Sequence, residues 1–153
     1  MKKLLPLILM TFVALFAANT TFAQEVKPET KEKSLYQRLG GYDAIAAVSD
    51  DFIDRLGKSK LLGRFVVGLS EDSKKKLRQH LVDFLCNATG GPCLYLGRDM
   101  KTSHKGLGID EKDWEEGLKA LAATLDHFKV PEKERGEVTA AVESLKKDIV
   151  EKK

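Results

Sequence analysis

The chain has 153 residues, 26 Lys and Arg against 23 Asp and Glu, 42% hydrophobic residues and two cysteines. That is the make-up of one ordinary globular domain, and it excludes a mini-protein built on disulfides. Basic and acidic residues are interspersed and nearly balanced at +3, so there is no basic field of the kind that drives nucleic-acid binding.

Lys2 and Lys3 precede an apolar run from Leu4 to Ala18 and a small-residue site, Thr21-Phe22-Ala23, before Gln24. This order reads as a secretory signal peptide over residues 1–23, not a membrane anchor, because a span needs about 20 apolar residues. No Cys follows the run, which argues against a lipoprotein. Cleavage would leave 24 basic and 23 acidic residues and no membrane span. The expected location is periplasmic or secreted, where cysteines can be oxidised. Residues 24–33, QEVKPETKEK, have no apolar partner to offset their ordering entropy and read as a polar tether.

Residues 34–150 read as one all-α domain, since every periodic stretch has helical spacing and none alternates long enough to seed a sheet. Ser34 and Gln37 form a capping-box pattern over a short helix that Gly40-Gly41 ends. A second helix begins near Tyr42, with Ile45, Val48, Phe52 and Leu56 as one stripe. After a bend rich in Leu61, Leu62, Phe65 and Val66, Ser70 caps a third, with Glu71 and Asp72 at the positive end of its dipole. Its stripe is Leu77, Leu81, Phe84, Leu85 and Ala88, and Gly90-Gly91-Pro92 stops it.

Cys93 to Asp99 reads as a loop, and Asp99 as the cap of a helix that Gly106 and Gly108 hold to two turns at most. Asp110 caps a long helix with Trp114, Leu118, Leu121, Leu125 and Phe128 on one face. Pro131 opens the last helix at its first position, with Val138, Val142, Leu145 and Ile149 as one stripe. The count is four substantial helices and two short ones. The Phe52 and Leu77 faces are long and apolar for so small a domain, which suggests that they enclose something.

Few residues could carry chemistry. No phosphate loop, Ser/His/Asp set or carboxylate pair is visible, and the three histidines and two cysteines are the candidates. His104 sits on a very short helix fenced by glycines; by itself it reads as a core-edge residue as readily as a ligand. Cys86 and Cys93 flank the Gly-Gly-Pro turn, which can bring them together as a disulfide or leave two thiols. Their spacing lacks the tight pair of a structural zinc site.

Tyr36-Gln37-Arg38-Leu39-Gly40-Gly41, Gly90-Gly91-Pro92, Tyr95-x-Gly97-x-x-Met100-Lys101-x-x-His104 and Val130-Pro131, in this order and spacing and without a gap from Tyr36 to about Val150, resemble a group 1 truncated hemoglobin. The resemblance implies a two-over-two helical sandwich around a non-covalent heme b, with His104 as proximal iron ligand. It implies cofactor contacts at Phe52, Ile53, Phe65, Val66, Leu77, His80, Leu81, Phe84, Leu85, Tyr95, Met100, Lys101, Ile109, Trp114 and Ile149. Lys101 and Arg98 are candidate partners for the heme propionates, with plain solvation as the alternative. No C-x-x-C-H motif is present, and the last helix offers Lys146 and Lys147 where some relatives have a His that bonds to a heme vinyl.

Many relatives carry a Tyr and Gln residues on the distal side, where this chain has Ile53, Leu77 and Leu81. An apolar distal wall forfeits a hydrogen bond to a gas ligand, typically about 0.5 to 1.5 kcal/mol. His80, on the flank of that stripe, is open to three readings: sixth iron ligand, propionate partner or solvated flank. His127 is assigned no role. The implied function is reversible binding of a diatomic gas, O2, NO or CO. The alternatives are a nitric oxide dioxygenase supplied by a reductase, and a bis-His electron-transfer protein.

Overall fold

The computed structural model describes residues 32–152. The signal-peptide reading and most of the tether reading lie outside these residues. The described chain forms α1 (Leu35–Arg38), α2 (Gly41–Lys58), a 3₁₀ turn (Gly63–Phe65), α3 (Glu71–Ala88), α4 (Met100–His104), α5 (Glu111–His127), α6 (Glu132–Glu143) and α7 (Lys146–Ile149). No β-strand occurs among them, and an isolated bridge joins Asp110 to Lys152.

Four helix starts follow from side chains that accept otherwise orphaned backbone N–H groups. Ser34 Oγ accepts from Gln37 N at 3.3 Å, and Gln37 Oε1 accepts in return from Ser34 N at 3.1 Å. Ser70 accepts from Ser73 N, and Asp99 from Thr102 N. Asp110 and Asp113 form a reciprocal capping box at the start of α5.

Two expectations are corrected at the C-terminal end. Pro131 is the cap residue before α6 and not its first helical residue. The last stripe is carried by two helices, which adds a third short one: Leu145 N donates to Val142 O at 2.9 Å, three residues back instead of four, while Ser144 Oγ takes Ala141 O at 2.7 Å. This tighter turn competes with the regular ladder and redirects the chain into α7.

Helix α2 packs on both α3 and α5, and α1 bears on α2 and α6. Leu121, Leu125 and Val138 form the buried centre, with Leu35, Leu39, Phe52, Val130 and Val142 against it. The result is the all-α two-over-two arrangement, α2 and α3 against α5 and α6. Polar clips set the crossings. Arg38 on α1 pairs with Glu134 and Glu137 on α6. Asp51 on α2 accepts from Arg55 at 2.6 Å, from Thr124 Oγ1 on α5 at 2.7 Å and from His127 Nδ1 at 3.0 Å.

Several carboxyls are held below their usual range by donors that exist only in the fold. The main donor is the Arg55 side chain for Asp51, Thr102 N for Asp99, Asp113 N for Asp110, the Arg38 side chain for Glu137 and Gly106 N for Glu151. Between each lowered pKa and the ordinary one, the unfolded chain binds protons that the folded chain does not, so stability rises with pH there. Their contribution is complete above the ordinary carboxyl range and is lost as pH falls through the lowered values. Thermal melts followed by circular dichroism should be level from neutral pH to about pH 5 and drop below it. A melting point that climbs on acidification would contradict this.

Candidate functional site

Between α2, α3, α5 and the short helices lies a cavity of about 380 Å³, within the range of pockets that bury a small ligand or cofactor. Its walls follow from helical spacing. Phe52 and Ile53 come from α2; Leu77, His80, Leu81, Phe84 and Leu85 present one face of α3; Phe65 and Val66 close the bend. Tyr95, Met100, His104, Ile109, Trp114 and Ile149 complete the expected set.

Lys101 is the exception. It is exposed and outside the lining, because on a five-residue helix that presents Met100 and His104 inward its neighbour must point away. Arg98 is likewise exposed and lines nothing; its carbonyl accepts from Tyr95 Oη at 2.6 Å and Ser103 Oγ at 3.2 Å. Of the basic or imidazole groups considered for the propionates, His80 alone lies on the wall.

Sequence reasoning missed Val48, Leu56, Leu62, Ser103, Leu107, Asp113, Gly117, Leu118, Leu121, Val142 and Leu145 as wall residues. Val48, Leu56, Leu118, Leu121, Val142 and Leu145 sit on the helical stripes of the sequence, so spacing alone could have added them. Asp113 could not be found that way. Its carboxylate is almost fully buried and is gripped by Arg64 Nη2 at 2.7 Å to both oxygens, while Arg64 stacks on Phe65 at 4.3 Å. Arg64 thereby neutralises the one acid on a mostly apolar wall and stacks on Phe65.

The polar groups of the wall are mostly spent. Asp113 answers Arg64 and Asp110 N; Tyr95 and Ser103 donate to Arg98 O. The two imidazoles differ. His104 Nδ1 lies 2.8 Å from Met100 O. A carbonyl only accepts, so Nδ1 carries the proton and Nε2 keeps its lone pair, the form in which imidazole ligates a metal. His80 makes no hydrogen bond among the described residues, and Tyr95 meets it edge-on at 6.2 Å and Phe84 at 5.3 Å.

Tyr95 reaches this position by folding over Gly97, where an added Cβ would run into its ring and hydroxyl. Gly97→Ala should displace Tyr95 from the wall at a cost of about 1 kcal/mol in stability. A Tyr95 ring spectrum unchanged by NMR would show that the ring had not moved.

Cys86, fully buried on α3, is disulfide-bonded to Cys93, with their Cα atoms 5.7 Å apart. This settles the alternatives left open for the pair and removes both thiols from metal ligation.

The profile of the bacterial-like globins matches residues 34–151. The chain belongs to this family. It is a truncated globin, 33% identical over 118 residues to the group 1 truncated hemoglobin GlbN of Mycolicibacterium paratuberculosis, covering 76% of this chain and 83% of that one. It is 28% identical over 122 residues to a group 1 truncated hemoglobin of Tetrahymena pyriformis, covering 80% and 98%. The solved Fe(III) form of the Tetrahymena pyriformis truncated hemoglobin superposes with a TM-score of 0.71 at 25% identity, covering 77% of this chain and 98% of that one. A 2/2 hemoglobin from a Synechococcus species, solved in the cyanomet state with covalently attached heme, gives 0.70 at 27% identity over the same shares.

For a truncated globin the family implies heme and the binding of diatomic gases at it. The residues present fit such a group. A flat, mostly apolar macrocycle suits walls of Phe, Leu, Ile and Trp, and an imidazole nitrogen left free by its own hydrogen bond suits its metal.

Proposed function

We propose that this truncated globin holds heme b without a covalent link, with His104 as proximal ligand, and binds a diatomic gas reversibly on the opposite face. Heme, when bound, supplies the iron and its open position; the chain supplies orientation and surroundings. One observation carries the reading: the His104 imidazole on the cavity wall, with Nδ1–H donated to Met100 O and Nε2 free. That hydrogen bond fixes the tautomer and the ring plane together. The lack of a C-x-x-C-H motif, and of any His in α6 or α7, supports non-covalent retention.

Ile53, Leu77 and Leu81 offer a gas ligand no donor, so the bound gas should leave fast. These three side chains give no polar assistance to peroxide cleavage, which favours reversible binding over that chemistry. A second reading, a bis-His electron-transfer site, is favoured by His80, which lines the cavity and has no hydrogen-bond partner among the described residues. We place the working protein, residues 34–150 as globin domain behind the 24–33 tether, in the periplasm or outside the cell. The signal-peptide pattern of residues 1–23 and the Cys86–Cys93 disulfide support that setting.

Hemin added to the chain should give a Soret band, and the ferrous form should take up carbon monoxide. A low-spin ferric spectrum that turns high-spin in His80→Ala supports bis-His ligation. A high-spin spectrum indifferent to that variant rules it out. A chain that stays colourless with hemin overturns the whole reading.

A further inference from the structure

We propose that Glu151, whose own side chain does not line the cavity, is a positioning residue for His104; the proposal rests on reading His104 as the iron ligand. Helix α4 has only five residues, Met100–His104, and a single turn cannot hold its own geometry in water. It must be held from both sides. On the N-terminal side Asp99 does this, accepting from Thr102 N at 2.7 Å and Thr102 Oγ1 at 3.0 Å.

On the C-terminal side the chain leaves the helix at Lys105 and passes through Gly106 and Gly108, with φ of 85° and 65°, before Ile109 rejoins the cavity wall. Neither glycine amide has a backbone partner. Both end on one carboxylate: Gly106 N donates to Glu151 Oε1 at 2.7 Å, and Gly108 N to Glu151 Oε2 at 2.6 Å. Hydrogen bonds to an ionised acceptor are the stronger kind, and this pair spans the loop like a clasp. The tail that carries Glu151 is itself fixed, since Glu151 N and Lys152 N donate to Ile109 O at 2.9 and 3.2 Å, and α7 just before it packs on α4.

The segment from His104 to Ile109 thus has wall residues at His104, Leu107 and Ile109 and is pinned between them from outside. Freed from the carboxylate, its two glycines could swing, and the imidazole at the end of α4 would lose its fixed approach to the metal. Glu151 acts through this loop and not by contact with the ligand.

The test uses the full chain, with hemin as probe, in Glu151→Ala, Glu151→Gln and Glu151→Asp. Hemin transfer to an excess of apomyoglobin should speed up by roughly three- to tenfold in the Ala and Gln variants, with Asp partly restoring the wild-type rate. The iron–imidazole stretching band of the ferrous form should shift or broaden in parallel. Without hemin, the Gly106 and Gly108 amides should lose hydrogen-exchange protection while amides elsewhere in the apo chain keep theirs and its melting point falls only slightly. An unchanged transfer rate and band in Glu151→Ala overturns the positioning role, and so does a rate increase matched by general destabilisation of the apo chain. A wild-type chain that takes up no hemin is a different failure, one that sinks the His104 reading beneath it.

Discussion

His104→Ala should leave a folded chain that no longer retains hemin. The residue closes α4 and is half-buried, outside the Leu121, Leu125 and Val138 core, so its loss removes little packing. What it removes is the nitrogen held ready by Met100 O. Losing an outer-shell partner of a metal ligand typically costs about 10- to 100-fold in affinity, and losing the ligand itself should cost at least the upper figure. Hemin loss to apomyoglobin should therefore accelerate by about 100-fold or more, with circular dichroism unchanged. The smaller His104→Gly variant should recover much of its spectrum when free imidazole is added, because the apolar walls remain. A variant that keeps its Soret band and its hemin without added imidazole would show that the metal is held elsewhere, with His80 the next residue to test.

The helix starts could be read directly because each is a local event: Ser34, Ser70, Asp99 and Asp110 act on amides two or three residues away. Most of the cavity wall could be read for a similar reason, since the spacing of Leu77, Leu81 and Phe84 fixes a face and a resemblance supplied what that face surrounds. Periodicity failed where a contact has no period. The stripe Val138, Val142, Leu145, Ile149 continues across the break at Ser144, so nothing in its spacing marks the end of α6. Asp113 shares the capping box of α5 with Asp110, but its burial depends on Arg64, 49 residues away along the chain. Lys101 was carried over by its place in a motif, and only the direction of the single turn of α4 turns it outward. Glu151 gives no signal at all, since a carboxylate on two glycine amides leaves no pattern in either segment.

Breaking the Cys86–Cys93 bond should lower the melting point more than any single polar substitution discussed above. The bond closes a short loop, with a sequence separation of 7. Chain entropy for a loop of that size gives about 2 kcal/mol of stabilisation, or a melting point roughly 8 °C higher for a domain of this length. The loss should extend to the cavity. The loop that Cys93 starts carries Tyr95 to Phe84 and His80, and besides the disulfide it is tied back to α3 by Asn87 Nδ2, which donates to Cys93 O at 3.1 Å. Once the sulfurs part, Tyr95 is held mainly through Arg98 O, a contact within its own loop. Thermal melts with and without a thiol reductant, set beside the Cys86→Ala/Cys93→Ala double variant, separate the bond from the side chains. Reduction should reproduce most of the variant's loss in the wild type and do nothing further to the variant. If reductant leaves the wild-type melting point where it was, while mass measurement shows two free thiols, the bond contributes no stability and Tyr95 owes its position to Arg98 O and its packing on α3.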